Sequence, residues 1–421
     1  MHLLTNIFAQ KFKTSALALV FLFPILMAIV GSAVSTIYLL LFILGTIYIK
    51  RLVPTLSTQE KTVLIGFVVV FFIYLLGMIN SDDVYNGFKK LGKFSYFLLS
   101  APVFFLFRYY QQPMLKAFYI GTTLSGFTLL IYLLLNSGST GAYHSIMYGD
   151  FSMLIVGVNI LLSLLASFKK TDKILLALSG LSALSASLIV GAKGSWVALP
   201  LLFLMLLYLL VTQKKIRFKI MAICTSIVLT IGITVNAFPG QTIDRFNTAI
   251  SSTSQFVENE NDNKKQQVGT ASERFIFWKA AINTVKKYPF FGSGSGDFRL
   301  ELRRFTKAYP QYNVIGDDYG SAHNIFFEWL ALFGIVGFLA LMASVFLLPL
   351  RFFFQVIKDN PKKLWVGLAG IWIILSSMVF GLTETWIVRS APNGVYMFFV
   401  LLFIAFSASS EIEKRYNKTS S

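Results

Sequence analysis

Residues 321–350 read SAHNIFFEWLALFGIVGFLALMASVFLLPL. After the polar residues Ser321, His323 and Asn324, the chain runs apolar from Ile325 to Leu350. A bilayer core takes about 20 apolar residues of helix, so this run can cross one. Similar segments recur along nearly the whole length, at about 15–31, 34–49, 62–79, 94–110, 115–136, 146–168, 174–191, 195–212, 218–237, 324–350, 364–382 and 393–409. The long interruption is the polar stretch 238–323. Of the 421 residues, 56% are hydrophobic, 16% aromatic and only 13% charged, whereas soluble domains carry about 25% charged residues. Alternating short strands are too few for a barrel. The expected fold class is therefore an all-α integral membrane protein of about 12 transmembrane helices, with a long, partly helical loop between spans 9 and 10.

The formal charge of +18 could suggest nucleic acid. In a chain of this kind it reflects loops obeying the positive-inside rule, so the expected partner is the lipid bilayer and not nucleic acid. Lys50, Arg51 and Lys61, then Arg108 and Lys116, then Lys169, Lys170 and Lys173 fall on one side if both termini are cytoplasmic. Lys214, Lys215, Arg217 and Lys219, then Lys358, Lys362 and Lys363, and the tail residues Lys414, Arg415 and Lys418 join them. The opposite loops are poorer in charge. The exception is the loop of Lys89, Lys90 and Lys93, which Asp82 and Asp83 partly balance. The chain then divides into a membrane domain over 1–237, an extracytoplasmic loop over 238–323, and a membrane domain with a cytoplasmic tail over 324–421. Lys11 and Lys13 before the first apolar run resemble a signal peptide, but a second apolar segment follows at once, so the first is read as an uncleaved span. Cys224, the single cysteine, can form no intrachain disulfide.

Within the polar stretch, eleven Lys and Arg face nine Asp and Glu, and long loops translocate largely regardless of charge. Residues 251–270 are low in apolar content and are expected to form a mobile loop. Thr270-x-x-Glu273 fits a capping box, with a helix over about 271–287 that stops before Pro289. Arg274 sits in its first turn, where free N–H groups and a planar guanidinium suit a phosphate. A solvated surface arginine is the plainer reading. Gly292, Gly294 and Gly296 permit a tight backbone next to a ligand, although no Gly-Lys-Ser/Thr follows to make a P-loop.

His323 stands where the long loop re-enters the membrane. Near neutral pH an imidazole can take a proton from a hydroxyl, or it can simply anchor a span at the interface. Three further places on the same side carry ionisable groups: His144 to Asp150, Lys193 between the seventh and eighth spans, and Glu384 with Arg389 between the last two. Such groups are expensive at the membrane boundary and often mark a pathway, although snorkelling at helix ends also places them there. Metal signals are weak, being confined to the adjacent pair Asp317 and Asp318.

These pieces together resemble the O-antigen ligase family, within the larger group of ligases and Wzy-type polymerases of bacterial surface polysaccharides. The resemblance rests on the twelve-span layout, Ser272-Glu-Arg274 with its Trp-Lys-Ala helix, Tyr288-Pro-Phe-Phe-Gly-x-Gly-x-Gly, Ala322-His-Asn-Ile-Phe-x-Glu328, and the Gly-Leu-Thr-Glu384 corner. It implies a Gram-negative inner-membrane glycosyltransferase with a periplasmic site. The donor would be a glycan on undecaprenyl diphosphate, the acceptor lipid A–core, and no cofactor would be needed. It also implies His323 as catalytic base and Arg274 at the donor diphosphate. The family's second arginine falls at Lys193, which keeps the charge and loses the bidentate fork. Glu384, Arg389, His144 and Asp150 would support them. A Wzy-type polymerase or a protein O-oligosaccharyltransferase fits the same scaffold. A transporter fits less well, because no matched pair of Gly- or Pro-broken spans is evident.

Overall fold

Helix is the only regular secondary structure among the described residues, as expected where no water can satisfy open backbone groups. The structure is a computed structural model and describes residues 2–52, 56–261, 270–312 and 319–408. Asp317 and Asp318, residues 262–269, and the basic tail residues lie outside them. Each expected span contains helix over most of its described length, and nine helices among the described residues are long and apolar enough to cross a membrane. The expected spans at 15–31, 34–49 and 94–110 are not among the nine. The last of these is two pieces, Ser95–Leu98 and Ser100–Tyr109, divided at Leu99.

Ser145–Leu165 and Ser390–Ser407 are buried almost throughout and form the centre, whereas Arg217–Ala237 lies at the periphery. Gly157 lets the Trp372 ring sit against the central helix, and the Trp372 indole donates to the Leu154 carbonyl at 3.0 Å. The loops sort to two ends. At one, Arg108 pairs with Glu60, while Gln111 and Lys363 both donate to the Phe406 carbonyl. At the other, Asp297 accepts from Ser81 Oγ at 2.6 Å and from the Asp83 N–H at 2.8 Å. Asn324 Nδ2 there donates to the Leu382 carbonyl at 3.1 Å.

The helix Ile325–Met342 breaks at Gly334, where φ is 60° and ψ −170°. Freed backbone groups inside a membrane protein need partners, and residues 289–294 supply them. Ser293 and Gly294 N–H donate to the Ala331 and Leu332 carbonyls, each at 3.0 Å. Ile335 and Val336 N–H donate to the Pro289 and Phe290 carbonyls at 2.9 and 3.2 Å.

This seam corrects the reading of the glycines. Gly292, Gly294 and Gly296 do make a close backbone approach, but to the protein itself. A Cβ on Gly292 would stand 2.2 Å from the Leu332 carbonyl carbon, on Gly294 2.5 Å from Ser81 Cα, and on Gly296 2.0 Å from the Asp83 oxygen. A second correction concerns 251–270. A helix runs Pro239–Asn261, so the described part of this stretch is ordered. Phe256 is buried and stacks on Phe275 at 5.0 Å, and Glu260 pairs with Lys279. The partner face comes from the next helix, which local composition does not reveal. The helix expected at about 271–287 runs Thr270–Lys287.

Candidate functional site

His323 lies one residue before the N-cap of the broken helix, with φ at 47°, a left-handed backbone outside glycine. Such a conformation costs about 1–2 kcal/mol in an L-residue and persists only where neighbours over-determine it. The neighbours do so on both sides. Ala322 N–H donates to Glu328 at 2.9 Å, and the Trp278 indole donates to the Ala322 carbonyl at 3.2 Å. Asn324 caps the helix through the N–H groups of Phe326 and Phe327.

The imidazole is held on two sides. Its Nδ1 lies 3.2 and 3.3 Å from the two oxygens of Glu384, and the Phe277 ring stacks on it at 5.6 Å and 21°. The His323 side chain keeps 24% exposure, enough for a substrate group to reach it. Arg389 Nη2 contacts the same Glu384 carboxylate at 3.0 Å, as does the Thr385 N–H at 3.0 Å. Burial opposes ionisation of Glu384, but the His323 hydrogen bond and the Arg389 charge outweigh it and hold the carboxyl well below its usual range.

Arg274 lies three residues before Phe277 on the Thr270–Lys287 helix, about 4.5 Å along its axis. It is half-buried, and no carboxylate pairs with it among the described residues. The Thr270 and Ser272 side chains, and so the expected capping box, lie outside the described residues. Lys193 is half-buried at the start of the short helix Lys193–Trp196. Its turn packs on the Glu384 corner, because Gly194 lies directly against Thr383. Asp150 is fully buried in the Ser145–Leu165 helix, with neither oxygen hydrogen-bonded. His144 is exposed at the N-cap of its helix, six residues or about 9 Å from Asp150. The structure thus brings His323, Glu384 and Arg389 into contact and sets the Arg274 helix and the Lys193 turn beside them, while no hydrogen bond or ion pair among the described residues joins His144 to them.

Sequence reasoning missed two groups. Phe277 and Trp278 position His323 but look like ordinary core aromatics. Glu328, fully buried, links the Ala322 N–H to Lys90 Nζ at 2.8 Å. The signal for Lys90 was its place in the one loop that departs from the charge rule. Among the described residues no group of three His, Cys, Asp or Glu could hold a metal ion.

Two comparisons bear on this arrangement. An uncharacterized protein of Haemophilus influenzae is 26% identical over 399 residues, covering 92% of this chain and 96% of the relative. A family model described as O-Antigen ligase matches residues 178–342, the part that contains Lys193, Arg274 and His323. The resemblance read from the sequence therefore holds, and the part of the chain that carries it is residues 178–342, which match the O-antigen ligase family model.

Proposed function

We propose that the protein transfers a glycan from undecaprenyl diphosphate to a sugar hydroxyl of lipid A–core at the periplasmic face of a Gram-negative inner membrane. In this reading the chain crosses twelve times with both termini cytoplasmic, residues 238–323 form the periplasmic loop, and the site lies at that end of the bundle. The observation that carries the reading is the imidazole held between a carboxylate and an aromatic ring, beside a helix bearing Arg274.

Nδ1–H of His323 donates to Glu384, which leaves Nε2 as the proton acceptor. The acceptor hydroxyl oxygen attacks the anomeric carbon while Nε2 takes its proton, a contribution of about 10²–10⁴-fold. The bond from that carbon to the diphosphate oxygen breaks, and its electron pair leaves on undecaprenyl diphosphate. Direct displacement inverts the anomeric centre. Arg274 and Lys193 face the charge that grows on the leaving group, a preorganised electrostatic effect. Glu384 orients the imidazole and stabilises it once protonated, and Arg389 holds the Glu384 carboxylate in place. The energy resides in the donor's own leaving group, so the step as written calls for neither nucleotide nor metal.

His323→Ala is expected to abolish transfer while the protein still inserts and accumulates. Near-normal transfer by that variant removes His323 from the catalytic role. Deleting the protein separates ligase from polymerase: a lost ligase leaves polymer on the carrier lipid, and a lost polymerase leaves single repeat units.

A further inference from the structure

The loop of Lys89, Lys90 and Lys93 departs from the positive-inside rule, and its geometry gives a reason. These lysines line a cavity of about 170 Å³ together with Arg299 and the backbone at Gly296 and Gly320. The Arg299 guanidinium lies against Gly320, three residues before His323. Among the described residues, the nearby carboxylates of Asp82, Asp83 and Asp297 are engaged elsewhere. Asp82 pairs with Arg304 at 2.8 Å, Asp83 accepts from Asn86, and Asp297 binds Ser81 and the backbone at Asp82 and Asp83. Among the described residues, Glu328 is the carboxylate that answers the lysines, through Lys90. Burial lowers the Lys93 pKa, and the neighbouring charges of Lys90, Arg389 and Lys89 lower it further against the pull of Glu328. This is crowding that a bound anion relieves.

We propose that this recess is a second anion site, one that holds a phosphate of the glycolipid acceptor while Arg274 and Lys193 serve the donor diphosphate. The inference rests on the glycosyl-transfer reading above. The cavity is smaller than the roughly 300–1,000 Å³ of a pocket for a whole small molecule, so it takes a headgroup fragment. Tyr85 and Phe88 of the Val84–Lys93 helix are exposed, at 77% and 60%, and Lys89 is exposed beside them, whereas Lys90 is buried. Exposed aromatic residues beside lysines at the end of a span lie at the headgroup level of a bilayer, which favours a lipid-borne phosphate over a free one. Glu328 joins the recess to the His323 segment, so an acceptor anchored here has its sugar beside the imidazole.

The test uses the full-length protein in nanodiscs and a Lys89→Ala/Lys93→Ala variant, which leaves the buried Lys90–Glu328 pair intact. Binding is measured for a bis-phosphorylated glucosamine-disaccharide lipid, for the same lipid after phosphatase treatment, and for inorganic phosphate. Basic residues near a membrane surface each add about a factor of five for an anionic headgroup. The double variant is therefore expected to bind the phosphorylated lipid about 10–30-fold more weakly. Wild type and variant should bind the dephosphorylated lipid alike. Equal binding of the phosphorylated lipid overturns the proposal, and inorganic phosphate binding as tightly as the lipid overturns the lipid assignment. Transfer kinetics form a separate arm, in which the KM for acceptor rises and the KM for donor holds; a rise in donor KM alone assigns the recess to the donor. Should the protein transfer no glycan at all, the binding arm still decides the site.

Discussion

Gly334→Ala tests the seam that shapes the site. At φ 60° and ψ −170° this residue occupies backbone space essentially reserved for glycine, worth about 1–3 kcal/mol of strain in any other residue. An added Cβ would also stand 2.3 Å from the Phe290 carbonyl carbon and 2.4 Å from its oxygen. Those atoms are backbone, so the contact cannot be relieved by a rotamer change, and overpacking of this kind costs about 1–3 kcal/mol. If segment 289–294 withdraws instead, four backbone hydrogen bonds are lost at about 1 kcal/mol each. Every route gives a loss of about 2–6 kcal/mol. Thermal unfolding of the purified protein in detergent is the assay, and the midpoint is expected to fall by about 5 °C or more. Gly232→Ala is the internal control. It makes the same chemical change inside the peripheral helix Arg217–Ala237, where an added Cβ meets nothing within 4 Å, so it should be neutral or slightly stabilising. If Gly334→Ala unfolds with the wild type, or no earlier than Gly232→Ala, the seam does not hold the broken helix.

Glu384→Gln keeps the shape of the corner and removes the charge that faces the His323 ring; transfer is expected to fall about 10²–10⁴-fold with normal accumulation, and a near-wild-type rate refutes the orienting role. The same carboxylate carries a pH signature. Its pKa is depressed in the folded protein, so its contribution is fully present above its ordinary value of 4.5 and is lost as pH falls below that. The difference in unfolding midpoint between wild type and Glu384→Gln should therefore shrink between neutral pH and about pH 3, and a difference that grows contradicts the assignment. Arg274→Ala and Lys193→Ala should each raise the KM for donor about tenfold or more, as lost charge-assisted contacts do, while Lys193→Arg retains donor use. A rise confined to acceptor KM reverses the assignment.

The membrane class and the positions of the helices were legible in the sequence, because transfer of about 20 apolar residues into lipid is a local property of composition. So was the helix from Thr270 to Lys287, which Pro289 stops. His323 and Glu384 stand out as ionisable residues at span boundaries, where their desolvation demands a reason, and Arg274 as a guanidinium in the first turn of a helix. What composition could not supply was partnership. Gly292 and Gly334 lie 42 positions apart and close on one another's strands of backbone. Phe256 is ordered by Phe275, across residues that look like a linker. Lys90 meets Glu328 over 238 positions. Burial of a single helix follows from its own residues, but hydrogen bonds, ion pairs and backbone contacts between distant segments depend on how the helices pack. Only the tertiary structure decided that His323 stands against Glu384 and Phe277, and that Lys89, Lys90 and Lys93 share one cavity.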